Sequence, residues 1–365
     1  MKKILIFTSK TGGGHVSLAE ALRDCLQGEF AVEILDPQPG IIHWHYRMVS
    51  RHALWLWAAE FKLSDTPQQA LASHRLFTRL FARNIAGVLK QVQPDLVMST
   101  YPFLTYEVVS AMQRSGQRVP FAMLFADPNG VHVSWLTERR ADAAFAPTQE
   151  TYDQAAKAGF SSERLHLTGW PVREQFYRQP ETVRQEVCQR LGLDAQRFTL
   201  FLQGGGEGAA RFVQTVENLL AVEGIQIILA AGTNQAIAGQ FEGVEGVRAL
   251  PFTQEIAPYM AAADVVVGKA GPNMLFETVI LGRPFIATAY IPGQEKANLE
   301  FIMRHRLGWV ELEAEGQVRL VSALARDRVM LTAVLESVNH YREWNTAAVE
   351  TILPLTRRLL EKGTA

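Results

Sequence analysis

Residues 4–15 read Ile-Leu-Ile-Phe-Thr-Ser-Lys-Thr-Gly-Gly-Gly-His, and residues 199–208 read Thr-Leu-Phe-Leu-Gln-Gly-Gly-Gly-Glu-Gly. In both, a short apolar run without alternation reads as a parallel strand covered on two faces, and the glycine turn after it feeds a helix. Leu18, Ala21, Leu22 and Cys25 recur on one face of the first helix, expected over residues 17–26; the second is expected over residues 211–220. Further strands are expected at residues 32–35, 96–99, 121–125 and 143–146, with a helix over 76–92, and then at residues 225–230, 263–267 and 284–287. Such alternation implies an α/β fold, here two Rossmann-like doubly wound parallel-sheet domains, each opening with a strand and a glycine loop. The pattern breaks at Gly169-Trp170-Pro171-Val172, continues into a charge-rich helix at residues 182–191 closed by Gly192, and restarts at Thr199. The expected organisation is a first domain over residues 1–172, a linker over 173–197, a second domain over 198–340, and a C-terminal helical stretch over 341–365 that crosses back to the first domain.

A chain of 365 residues is longer than one hydrophobic core usually supports. Its 36 basic and 37 acidic residues leave a formal charge of −1, which gives no whole-molecule attraction to nucleic acid. Cys25 and Cys188 are the only cysteines, so neither a disulfide framework nor a metal knuckle is indicated, and a reducing cytoplasm is the expected setting. The apolar run after Met1-Lys2-Lys3 stops at Thr8, too soon for a signal peptide, and no apolar run is long enough to span a bilayer. Contact with a membrane surface is a different matter. Residues 41–61 hold three of the seven tryptophans, Trp44, Trp55 and Trp57. Residues 43–90 carry seven cations, among them Arg47 and Arg51, against the two acids Glu60 and Asp65. Interfacial aromatics beside cations suit an anionic headgroup layer, so the segment is expected to lie peripherally on the inner face of the plasma membrane. The competing reading buries Trp55 and Trp57 in the domain core.

Glycine turns between strand and helix let backbone N–H groups approach an anion, aided by the helix dipole. Neither loop matches the dinucleotide-binding or P-loop patterns, which disfavours NAD binding and ATP hydrolysis. A third constellation, Lys269-Ala270-Gly271-Pro272-Asn273-Met274-Leu275-Phe276-Glu277, has a strand ending in a small-residue turn with a helix starting at Pro272. That helix terminus suits a diphosphate, and Glu277 suits two ribose hydroxyls. No Asp-x-Asp cluster stands at a strand end, so neither a metal nor a cofactor is expected, and backbone N–H groups and helix dipoles are expected to hold a bound diphosphate.

Together, Gly12-Gly13-Gly14-His15, residues 168–173, residues 204–208, Lys269-Ala270-Gly271-Pro272 and Tyr290-Ile291-Pro292-Gly293-Gln294-Glu295-Lys296-Ala297-Asn298 resemble the monogalactosyldiacylglycerol synthase and processive diacylglycerol glucosyltransferase family, related to the transferase that forms lipid II. The resemblance covers residues 4 to 310. It implies a GT-B architecture, two domains facing a cleft, and an inverting hexosyltransferase that takes glucose or galactose from a UDP-sugar, a co-substrate rather than a cofactor, to a lipid hydroxyl, foremost diacylglycerol. It implies donor contacts at Gly205, Gly206, Glu207, Gly208, Phe252, Gly271, Pro272, Asn273, Glu277, Gln294 and Glu295. Met274 and Leu275 stand where smaller residues are expected, which leaves the donor sugar open.

Inversion needs a base for the acceptor hydroxyl. His15, leaving the glycine loop as the helix begins, is the candidate, and Asp127 is expected to orient it or the acceptor. Gly13, Gly14, His132 and Trp135 are the further acceptor-side candidates. Two alternative activities share the fold: a lipid II-type transferase using UDP-N-acetylglucosamine, and a UDP-sugar 2-epimerase, against which the aromatic and basic segment argues. A sugar-nucleotide binding module without activity is the non-enzyme alternative.

Overall fold

The computed structural model describes residues 1–11, 13–44, 48, 64–204, 209–232 and 234–362. Trp55, Trp57, Arg47, Arg51 and Gly205 through Gly208 lie outside the described residues. The chain divides into two units, Met1–Glu174 with Trp344–Ala365, and Gln175–Glu343.

In the first unit, β1 (Lys3–Phe7) leads into α1 (Gly14–Leu26) and β2 (Ala31–Leu35). The chain goes on through α2 (Pro67–Val92), β3 (Leu96–Ser99), α3 (Tyr106–Ser115), β4 (Phe121–Leu124), α4 (Val133–Leu136), β5 (Ala143–Ala146), α5 (Gln149–Lys157) and β6 (Leu165–Leu167). The strands form one sheet in the order β2-β1-β3-β4-β5-β6, and its strand pairs are parallel. Ile4, Leu5, Ile6 and Phe7 are all inaccessible, as a strand covered on both faces requires. Helix α2 starts earlier than the apolar pattern implies. Thr66 caps it by accepting the Gln69 N–H at 3.4 Å, and Pro67 occupies the first turn, where its missing N–H costs nothing. Within α2, His74 is wholly buried and bonds Glu107 of α3 through Nδ1 at 2.9 Å and the Ser134 carbonyl of α4 through Nε2 at 3.0 Å, joining three helices.

In the second unit, α6 (Val183–Leu191) precedes β7 (Phe198–Gln203), α7 (Ala209–Leu220), β8 (Ile225–Ala230), α8 (Gln235–Gln240), β9 (Val247–Leu250), α9 (Ala257–Ala261) and β10 (Val265–Lys269). After these come α10 (Pro272–Ile280), β11 (Phe285–Ala289), α11 (Lys296–Arg304), β12 (Gly308–Val310), α12 (Ala314–Arg326) and α13 (Val329–Val349), whose last residues count with the first unit, as does α14 (Ile352–Lys362). The sheet order is β12-β11-β10-β7-β8-β9. Leu200 and Leu202 of β7 and Ile225, Ile227 and Leu229 of β8 share one core cluster with Val216 and Leu219 of α7 and Val321 and Leu324 of α12. The helix α6, within the stretch read as a linker, is tied into this unit. Arg184 reaches the Ala195 and Ala262 carbonyls at 2.8 and 3.0 Å and Asp264 at 3.0 Å, while Asp264 accepts the Thr199 N–H at 2.8 Å.

In each sheet the strand order reverses at one place, between β1 and β3 and between β7 and β10. Helices leaving those strands depart in opposite directions, so a crevice opens outside their carboxyl ends, the usual ligand position in doubly wound folds.

The Gly169-Trp170 motif has a packing role. Gly169 adopts φ +66°, and a Cβ there would stand 2.8 Å from the Asn345 carbonyl oxygen. Asn345, wholly buried on α13, accepts the Trp170 N–H at 2.8 Å and donates to the Trp170 carbonyl at 2.9 Å. Replacing Asn345 with Leu keeps the volume but strands two buried backbone groups. The expected loss is about 2–4 kcal/mol in urea unfolding followed by tryptophan fluorescence; a change within about 0.5 kcal/mol, the range of neutral surface changes, would show the pair to be dispensable.

Candidate active site

The first crevice is built on His15. Gly13 is the N-cap of α1, and His15 follows in its first turn, half-buried. Its Nδ1 lies 2.8 Å from the Thr100 carbonyl oxygen, just past β3. A carbonyl only accepts, so Nδ1 carries the proton and Nε2 keeps its lone pair. Thr100 is itself held, its hydroxyl donating to the His15 carbonyl at 3.2 Å and lying 3.0 Å from the Thr8 hydroxyl. The Tyr101 ring stands edge-on to the imidazole with centroids 4.9 Å apart. Ser9, Thr11 and Gln38 bond the Tyr101 hydroxyl and one another, Ser9 Oγ meeting Thr11 Oγ1 at 2.7 Å and Gln38 Oε1 at 2.6 Å. Burial pushes the His15 imidazole down to about 4, against the opposing pull of the Thr100 carbonyl. A neutral imidazole with a basic Nε2 is the result at ordinary pH.

Asp127 was expected to orient His15 or the acceptor. Nδ1 of His15 is oriented by Thr100, whereas the Asp127 carboxylate accepts the His132 N–H at 3.4 Å and a bond from Trp135. Burial pushes Asp127 up to about 6. His132 and Trp135, expected on the acceptor side, are both buried. His132 caps α4, its Nδ1 accepting the Ser134 N–H at 3.2 Å, while its Nε2 lies 3.2 Å from Ser64 Oγ. Trp135 is 1% exposed with its ring against Phe125, a core residue because the indole has no open face. Gly13 and Gly14 are exposed, and Trp44 is 55% exposed.

The second crevice lies at the carboxyl ends of β7 and β10. Gly271 caps α10, with Pro272 and Asn273 in its first turn and Glu277 farther along, 6% exposed. Lys269 ends β10, and its ammonium pairs with Glu295 Oε1, while Glu295 Oε2 accepts the Ile291 N–H at 2.8 Å. Both oxygens of Glu295, expected as a contact for sugar hydroxyls, are thus engaged within the protein and the residue is 3% exposed. Gln294 beside it is half-buried, and Phe252, on the loop after β9, is 63% exposed. A Cβ on Gly268 would stand 2.7 Å from Met274, so the larger residue at 274 fills space above the end of β10. Gln203 Oε1, at the end of β7, is buried without a hydrogen-bond partner among the described residues.

Thr100, Tyr101 and Gln203 escaped the sequence reading. The signal was the rule that ligands sit where strand order reverses, which singles out the residues ending β3 and β7 once the order is known. Among the described residues no group of three His, Cys, Asp or Glu side chains could hold a metal ion, and no helix is long and apolar enough to cross a membrane.

Residues 15–172 match the family described as monogalactosyldiacylglycerol (MGDG) synthase, and residues 199–327 match the glycosyltransferase family 28 C-terminal domain. The chain is 27% identical over 331 residues to the chloroplastic monogalactosyldiacylglycerol synthase of Spinacia oleracea, covering 84% of this chain and 63% of that one. It therefore spans less than two thirds of that relative's length. Among solved structures, Anabaena Alr3699/HepE in complex with UDP and glucose aligns over 99% of this chain and 100% of its own with a TM-score of 0.61 at 14% identity. Acinetobacter baumannii MurG aligns over 98% of this chain and 100% of its own with a TM-score of 0.63 at 16% identity. These likenesses show the two-sheet glycosyltransferase fold that the sequence implied.

Because the folded imidazole of His15 titrates below its ordinary value of 6.5, protonation favours the unfolded chain. Stability tied to this group is therefore complete above pH 6.5 and is lost as pH falls toward about 4. Imidazole 15N NMR should show the neutral Nδ1–H form of His15 persisting at pH 5.5, and a midpoint at 6.5 would contradict the burial seen here.

Proposed function

We propose that this chain, whose residues 15–172 and 199–327 match the monogalactosyldiacylglycerol synthase and glycosyltransferase family 28 C-terminal families, is an inverting hexosyltransferase moving glucose or galactose from a UDP-sugar to the hydroxyl of diacylglycerol. The single observation that carries the mechanism is the bond from His15 Nδ1 to the Thr100 carbonyl at 2.8 Å. With Nδ1–H committed, Nε2 takes the acceptor proton as the acceptor oxygen attacks the anomeric carbon and UDP departs from the opposite face. Desolvation keeps the imidazole unprotonated at working pH, so the base is available without prior proton loss. It also weakens it, and position rather than basicity carries its effect.

In this reading the second unit holds the donor. The start of α10 and residues 205–208 take the diphosphate, Glu277 takes the ribose, Phe252 stacks on the base, and Gln294 meets the sugar. Exposed Trp44 belongs to the membrane-facing segment with Trp55, Trp57, Arg47 and Arg51, which supports an enzyme lying peripherally on an anionic surface at the inner face of the plasma membrane.

Product analysis with labelled UDP-glucose and UDP-galactose over vesicles containing diacylglycerol tests the reaction directly. His15→Ala is expected to reduce turnover by about 10²–10⁴-fold with UDP affinity unchanged. The parent's acid limb should lie near pH 4 rather than 6.5 and disappear in the variant. Near-normal turnover in folded His15→Ala protein would remove it from the mechanism. Without a metal or cofactor, turnover should persist in EDTA; complete loss restored by Mg²⁺ would show that the diphosphate needs a cation the protein does not supply.

A further inference from the structure

The proposed reaction breaks the bond between the anomeric carbon and a β-phosphate oxygen, and the electron pair stays with UDP, which leaves one negative charge richer. Backbone N–H groups and a helix terminus offer only partial charges to that oxygen. One full positive charge stands beside the terminus. Lys269 ends β10, and a Cβ built on Gly271, the N-cap of α10, would lie 3.5 Å from the Lys269 Nζ and 3.6 Å from Glu295 Oε1. The ammonium therefore lies at the mouth of the helix where the diphosphate is expected.

Resting on the reading above, we propose that Lys269 is the cation that receives the leaving diphosphate, and that Glu295 is the carboxylate that holds Lys269 in position. Glu295 suits the task through its own fixed geometry. Its side chain is 4% exposed against 28% for Lys269, so the carboxylate lies inside and the ammonium at the edge. Oε2 accepts the Ile291 N–H at 2.8 Å, and the Glu295 N–H donates to the Ile291 carbonyl at 2.9 Å, closing a turn that immobilises the carboxylate. An ammonium has three N–H donors, and one bond to Glu295 leaves two for phosphate oxygens. The turn between β10 and α10 is held as well. The Ala270 N–H donates to the Ala289 carbonyl at 2.8 Å, and Asn298 Nδ2 donates to the Ala270 carbonyl at 2.8 Å. Asn298 is 2% exposed and its Oδ1, beside the same turn, is buried without a hydrogen-bond partner among the described residues.

Removing Lys269 alone would leave a buried carboxylate unpaired, so the double variant Lys269→Met with Glu295→Gln, which removes both charges, is the test. Calorimetry on the full chain compares UDP with uridine, which lacks the diphosphate. The parent should bind UDP much more tightly than uridine, and if it binds neither the donor reading itself fails. The double variant should lose about ten- to a hundredfold in UDP affinity with uridine unchanged. UDP binding within twofold of the parent, or an equal loss for uridine, would overturn the proposal. A second measurement needs no variant: reductive methylation with mass spectrometry should show Lys269 protected by UDP and not by uridine, and labelling indifferent to UDP would overturn it equally.

Discussion

A parallel strand whose two neighbours are reached by helices leaving in opposite directions cannot be covered at its carboxyl end, and this constraint places everything else in the chain. In the first sheet it opens the edge where β1 meets β3, and Thr100 and Tyr101 stand there directly after β3, with His15 in the first turn of the helix that follows β1. In the second it opens the edge where β7 meets β10, and Gln203 and Lys269 stand there as the last residues of those strands, with Gly271 as the N-cap of the helix after β10. The buried strands supply rigidity; the open ends supply backbone groups and short side chains for a ligand.

Rigidity at these edges comes from polar groups that are spent on each other. Thr8, Thr100 and the His15 carbonyl form a chain of hydrogen bonds, and Ser9, Thr11, Gln38 and Tyr101 form another. Each buried group satisfied in this way avoids a desolvation cost of about 1–3 kcal/mol and loses its freedom to rotate. The imidazole left at the centre has one nitrogen committed and one available. Asp127, by contrast, spends its carboxylate on His132 and Trp135, and burial raises it to about 6.

Much of this was legible in the chain itself. The unbroken apolar runs at residues 4–7 and 225–230 announced covered parallel strands, and the glycine turns after the opening strands announced the helices that follow them. Boundaries were less legible. The β10 strand extends to Lys269, beyond the apolar run, because pairing with β11 continues past a register shift at Gly268. The surroundings of Trp135 and His132 were not legible, because residue type says nothing of direction: a short helix after β4 turns the indole into the core and uses the imidazole as its cap. The pairing of Glu295 with Lys269 was hidden for the same reason, since the two stand in separate stretches of the sequence.

The glycines separate what the fold needs from what a ligand needs. Gly204 touches the Phe212 ring so closely that a Cβ would stand 2.7 Å from it, and Gly308 leaves no room beside the Phe285 backbone, where a Cβ would come within 1.8 Å. Those positions are glycine because the packed chain requires it. Gly13 and Gly271 are different. A Cβ on Gly13 would meet nothing within 4 Å, one on Gly271 would make only ordinary contacts of 3.5 Å or more, and both have negative φ open to any residue. Neither packing nor backbone strain accounts for glycine at either place, yet each caps the helix at a strand-order reversal. An open N-cap at such a reversal leaves room for a ligand to come close to the backbone, as the proposed donor and acceptor roles require.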